Sequence, residues 1–103
     1  RDFSDVRDVA RWLPVIAANA RPGEVVNACS GQVVSIRRIL DILLAAARVP
    51  IRVETDPARF RPLDNPVLRG DPGRLRARFG LRPEFPLERT LGDLLEYWRG
   101  RTA

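Results

Sequence analysis

The 103-residue sequence contains no lysine, no histidine and no methionine, and only one cysteine, Cys29. Each absence excludes something. Without histidine there is no imidazole base, and neither a Ser–His–Asp nor a Cys–His arrangement is possible. Without lysine there is no Schiff base, no amine acid and no ammonium clamp for phosphate. One cysteine excludes an intrachain disulfide, and a zinc site would need several more ligands. A lone thiol fits a reducing compartment, so a cytoplasmic location is expected, with Cys29 buried and inert. No apolar run is long enough to span a bilayer, and no signal-peptide pattern opens the chain. The missing methionine, with a start at Arg1 inside what reads as a structured motif, predicts a processed piece or a fragment. There is no GxGxxG turn, no P-loop and no carboxylate pair beside a base. Taken alone the chain reads as non-catalytic, with no cofactor-binding or metal-binding residue of its own.

What is present is arginine. All 18 basic residues are arginines, and the net charge is +5. Residues 57–82 hold seven of them against Asp64 and Asp71, so this segment equals the whole excess. Arginine presents a planar fork that suits phosphate oxygens, although a solvated basic face is the plainer reading for most of these positions. Hydrophobic residues make up 45% and charged residues 30% of the chain, as in ordinary globular proteins, and the length allows one domain or part of one.

The spacing of apolar residues predicts a helix over 4–20, capped by Ser4 or Asp5. Its apolar face would run through Val6, Val9, Ala10, Leu13, Ala17 and Ala20, with a kink at Pro14. Val25 to Cys29 reads as a short strand. A helix capped by Ser35 should run to about Ala47, and residues 50–55 read as a second strand with alternating Ile51 and Val53. Strand, helix and strand with short connections predict parallel pairing, though two strands alone make a poor sheet and need an extension or cover. Residues 57–70 read as a loop stiffened by Pro57, Pro62 and Pro66. Asp71, Pro72 and Gly80 bracket a short helix. A last helix over 89–100 should start at a capping box of Thr90 and Asp93, with Leu91, Leu94, Leu95 and Trp98 on its apolar face. The fold class expected is α/β, with few short parallel strands and packed helices.

Binding chemistry concentrates in the "RPLD" loop. Arg61 can fork onto a phosphate and Asp64 can accept from two hydroxyls of a ribose, a combination suited to a nucleotide. A stiff loop lowers the ordering cost of such binding. Spacing alone equally allows a surface salt bridge. Arg1, ahead of the first helix, has no function legible by itself.

The segments "RDFSDVRDVARWL", "GEVVNACSGQVVSIRRILDILL" and "RPLDNPVLRGDPGRLRARFGLRPEFPLERTLGDLLEYWR" together resemble the C-terminal part of extended short-chain dehydrogenases/reductases acting on nucleotide sugars. The likeness is greatest to the GDP-4-keto-6-deoxymannose reductases and their GDP-mannose 4,6-dehydratase relatives, and it covers essentially the whole chain. It implies a small substrate-binding lobe over residues 1–103. The NAD(P)-binding Rossmann domain, with its glycine-rich turn and Tyr-xxx-Lys pair, is absent. By position, Arg1 and Arg61 match the two arginines that contact the substrate diphosphate, and Asp64 matches the acid that binds the nucleoside ribose. Asp5 and Asp8 are expected to organise the first helix. "NACSG" lies nearer the reductase pattern, whereas Pro14 is unusual for the family. The partners implied are a nucleotide-diphosphate sugar and the missing Rossmann domain. Self-association through uncovered apolar surface is also expected, and membrane binding is not.

Two other classes fit parts of the sequence. An Arg-rich nucleic-acid-binding module would use Arg74, Arg76 and Arg78, but no aromatic residues are interleaved there for base stacking. A protein-interaction domain would use apolar surface beside Trp12 and on the 36–47 helix. The two differ in the salt dependence of nucleic-acid affinity.

Overall fold

The structure, a computed structural model, describes residues 1–62 and 65–102. Four α-helices organise it: α1 (Val6–Asn19), α2 (Ile36–Ala45), α3 (Gly73–Phe79) and α4 (Leu87–Thr102), with one 3-10 turn at Pro57–Arg59. The start of α1 follows from Asp5, whose carboxylate accepts the Arg7 N–H at 2.8 Å and satisfies one of the free donors of the first turn. Ser35 caps α2 in the same manner through the Arg38 N–H. α3 ends at Gly80, whose φ of 64° is the left-handed conformation that glycine adopts without strain, and its N–H closes back on the Arg76 carbonyl. Pro14 lies within α1 on an exposed side and does not end it.

The helices pack in pairs, α1 on α3 and α2 on α4. Trp12, Leu75 and Leu81 form the buried centre of the first pair, flanked by Val9, Val15, Ile16, Val26 and Phe79. Leu91 of α4 is the other buried apolar side chain among the described residues. The pairs are joined through α1. Arg7 reaches Asp93 of α4 at 2.7 Å, and the Thr90 hydroxyl donates to Asp5 at 2.6 Å.

Three expectations are corrected. The inward face of α1 is not Val6, Ala10, Leu13 and Ala17, which are exposed; it is Asp5, Asp8, Val9 and Trp12. Two carboxylates occupy this face because donors from elsewhere in the chain meet them there, the Thr90 hydroxyl at Asp5 and the Glu84 and Phe85 N–H groups at Asp8. The last helix begins at Leu87 rather than at a Thr90 cap, so Thr90 and Asp93 serve α1 instead. The parallel strand pair expected of an α/β fold does not form among the described residues. The single bridge found there is antiparallel, Asp2 with Val33. Residues 51–56 lie exposed with no ladder partner, and Ile51 and Val53 stay at least half exposed, so nothing holds a second strand in place.

The resulting shape is open. The radius of gyration is 17.1 Å and the extents are 50 × 35 × 18 Å, against roughly 13 Å for a compact domain of about 100 residues. Large apolar side chains including Val6, Val25, Ile36 and Phe60 are two-thirds or more exposed, or nearly so. No helix of the described residues is long and apolar enough to cross a membrane.

Candidate functional site

Two distant segments of the chain, Ser30–Gly31 and Gly70, converge on Asp2. One oxygen of its carboxylate accepts the Ser30 N–H at 3.1 Å and the Ser30 hydroxyl; the other accepts the Gly31 N–H at 2.8 Å and the Gly70 N–H at 3.1 Å. Partial burial opposes the charge. The hydrogen bonds from the Ser30 hydroxyl and the Gly31, Gly70 and Ser30 N–H groups outweigh it, and the carboxyl is held below its ordinary value. Glycine is required at two of these contacts. Gly31 has φ 76°, and a Cβ there would meet the Pro72 ring at 2.6 Å. At Gly70 a Cβ would lie 2.4 Å from the Cys29 sulfur. Cys29 is half-buried, and burial followed by the Asp2 charge pushes its thiol up, away from a reactive thiolate. Arg69 donates to the Gly31 carbonyl at 2.7 Å and Arg76 to the Ser30 carbonyl at 3.2 Å, which closes the turn from outside.

This knot sets the position of Arg1. The backbone of Arg1 exchanges two hydrogen bonds with Val34, each 2.9 Å. Its guanidinium donates to the Asn65 carbonyl at 2.8 Å, a contact across 64 positions in sequence. Arg1 is thus carried to the proline-stiffened loop. Arg61 lies on that loop with its side chain exposed. Asp64, the third residue assigned from sequence, lies outside the described residues. The role of Asp2 was missed by sequence reading, since a carboxylate whose partners sit at 30, 31 and 70 leaves no local signature.

The remaining charges are engaged elsewhere. Asp5 accepts from Arg7, which holds its carboxyl well below the usual range against the opposing effect of burial, with help from Thr90. Asp8 is fully buried and accepts the N–H groups of Glu84 and Phe85 and one guanidinium N–H of Arg11. Asp5 therefore caps the first helix, as expected, while Asp8 ties that helix to the Glu84–Phe85 backbone. Arg74, Arg76 and Arg78 point at the Val25 carbonyl, the Ser30 carbonyl and Glu24, so they form no free stripe for a nucleic-acid backbone. Asp71 takes the Gly73 N–H at the start of α3 at 2.8 Å and so satisfies one of the free donors of its first turn. No cluster of metal-ligating side chains exists among the described residues.

An apolar cleft of about 630 Å³ opens between the start of α1, the segment 30–39 and residues 83–94. Phe3, Val34, Ile39, Phe85, Leu91 and Leu94 line it, and neither Arg1 nor Arg61 does.

No protein-family model matches the chain. It is 35% identical over 101 residues to a GDP-6-deoxy-D-mannose reductase of Pseudomonas aeruginosa, a match spanning 98% of this chain and 33% of the relative. Its fold superposes on the structure of RMD from Pseudomonas aeruginosa complexed with NADPH, with a TM-score of 0.90 and 31% identity over 99% of this chain and 33% of that one. The Bordetella bronchiseptica enzyme WbmF, solved in complex with NADH, matches with a TM-score of 0.76 and 27% identity over 98% of this chain and 30% of that one. The chain thus spans about a third of the length of the relatives it matches. In sequence and fold together, it is similar to the C-terminal part of an extended short-chain dehydrogenase/reductase of the GDP-6-deoxy-D-mannose reductase kind.

Proposed function

We propose that residues 1–103 form the nucleotide-sugar-binding lobe of an NAD(P)-dependent GDP-sugar enzyme of the cytoplasm, a reductase in preference to a 4,6-dehydratase. In this reading Arg1 and Arg61 hold the diphosphate and Asp64 holds the ribose. The observation that carries it is the 2.8 Å contact of the Arg1 guanidinium with the Asn65 carbonyl, which joins the first arginine to the loop bearing the other two residues. Similarity to a GDP-6-deoxy-D-mannose reductase over 98% of the chain supports the substrate class.

The chain's own chemistry is recognition. An arginine with one N–H on a backbone carbonyl keeps other donors free for phosphate oxygens, and its approach is fixed before ligand arrives. NAD(P), when bound, supplies hydride chemistry to such an enzyme. The residues here do not fit the dinucleotide, because there is no glycine-rich turn and no lysine. Cofactor binding and the Tyr-xxx-Lys pair are therefore assigned to a Rossmann domain outside these residues.

Calorimetric titration of the intact protein with GDP and GDP-mannose tests the assignment. Replacing Arg61 or Asp64 by alanine removes one charge-assisted contact, expected to cost about 1.5–3 kcal/mol and to weaken affinity roughly ten- to hundredfold. Unchanged affinity in both variants refutes the site.

A further inference from the structure

We infer that Asp2 is a positioning residue for the nucleotide diphosphate, holding Arg1 in its binding pose without touching the ligand itself. This rests on the proposed role of Arg1. The observation is the convergence of four donors on one carboxylate: the Ser30 N–H and hydroxyl on one oxygen, and the Gly31 and Gly70 N–H groups on the other. Each carboxylate oxygen takes two donors among the described residues, which fits a positioning role rather than contact with an anion. A negative charge beside a diphosphate would oppose binding, and here four N–H and O–H dipoles absorb that charge.

The consequence for Arg1 is mechanical. Arg1 immediately precedes Asp2 and is otherwise attached by backbone bonds to Val34 and by its side chain to Asn65. Val34 belongs to the segment that begins at the Ser30–Gly31 turn, and Asn65 belongs to the segment that ends at Gly70. Asp2 clamps both segments at the points where they pass it. Releasing the clamp frees the spacing between the two attachments of Arg1 together. The two glycines make the clamp possible, since a Cβ at Gly31 would strike Pro72 and one at Gly70 would strike Cys29. Glycine at both places thus lets the backbone come close enough for its N–H to reach the carboxylate.

Asp2→Asn is the informative substitution. An amide keeps one acceptor oxygen and turns an N–H₂ toward a backbone donor, so one side of the clamp becomes repulsive at nearly constant volume. The test is a double-mutant cycle on GDP affinity in the intact protein, using native, Asp2→Asn, Arg1→Ala and the double variant. In the native background Asp2→Asn is expected to weaken GDP binding about tenfold, and in the Arg1→Ala background by less than about twofold, because residues acting through one contact are not additive. A general loss of structure would instead multiply with Arg1→Ala, and that result overturns the inference. If Arg1→Ala itself leaves GDP affinity unchanged, the proposed role of Arg1 falls and the inference with it, an outcome distinct from additivity. Ser30→Ala removes only the hydroxyl donor and preserves the backbone contacts. It is expected to show the same non-additive pattern at about threefold, and it decides the matter where Asp2→Asn does not fold. No effect of Ser30→Ala on GDP affinity in that case counts against the clamp.

Discussion

Asp8 offers the sharpest test of how this thin fold is held together. Its side chain is 1% exposed. It accepts the Glu84 N–H at 3.0 and 3.1 Å, the Phe85 N–H at 3.2 Å and the Arg11 guanidinium at 2.9 Å. Asp8→Ala removes the acceptor and strands two backbone donors, whereas Arg11, partly exposed, keeps Glu84 and the Arg82 carbonyl. Each stranded donor costs about 1–3 kcal/mol, and the lost ion pair adds less than about 1 kcal/mol, because Arg11 is partly exposed and keeps other partners. Over the two donors the expected loss is about 3–5 kcal/mol. At a urea slope of about 1–2 kcal/mol per molar, the unfolding midpoint should fall by roughly 2 M or more. Emission from Trp12, which is fully buried one turn further along α1, reports the transition. Asp8→Asn keeps one acceptor oxygen and should lose about half as much. If Asp8→Ala unfolds within about 0.3 M of the native protein, below about 0.5 kcal/mol, the 83–85 segment is held by something other than this carboxylate.

Other expectations follow the same logic. The Asp5 carboxyl is depressed in the folded state from an unfolded value of 3.8, so its contribution is present above about pH 4 and lost as acid drives the pH down toward its folded value. Asp5→Asn, which still caps α1, should flatten the acid limb of a thermal-midpoint profile, and an unchanged limb would exclude Asp5 as its source. The Arg78 guanidinium and the Arg21 N–H hold Glu24 down at about 2; Arg78→Ala should return it toward the ordinary value of 4.5 in a carboxyl NMR titration. Gly70→Ala forces a Cβ to within 2.4 Å of the Cys29 sulfur. It should therefore lower stability by about 1–3 kcal/mol and weaken GDP binding, whereas Gly92→Ala, with nothing near its Cβ, should do neither.

Local signals in the sequence were reliable where the physics is local. Asp5, Ser35 and Gly80 mark helix ends because a cap needs only its own neighbours. The buried face of α1 was read one stripe too far round. Periodicity assumes that the inward side is apolar, and here Asp5 and Asp8 face inward because Thr90, Glu84 and Phe85 supply their donors. The strands failed for the complementary reason. Val25 to Cys29 and residues 50–55 have strand-like composition, but a strand exists only with a ladder partner, and composition carries no information about one. At the candidate site, nothing in the spacing of Arg1 and Asn65 foretold their contact; the resemblance to a family pointed to Arg1 and to the loop of Arg61 and Asp64, but not to Asn65. Asp2 escaped both routes.

The thinnest dimension of the protein, 18 Å, is under two helix diameters of about 10–12 Å each. No atom in such a slab is far from bulk solvent. Field lines running from Arg1 or Arg61 to an anion pass mostly through a high-dielectric medium, and at about 0.15 M salt mobile ions damp them within about 8 Å. On a bare slab the arginines would therefore hold the proposed diphosphate only weakly and in a salt-sensitive way. A second protein layer over that face would expel water and ions, lower the local dielectric constant, and strengthen the same guanidinium–phosphate attraction several-fold without moving a side chain.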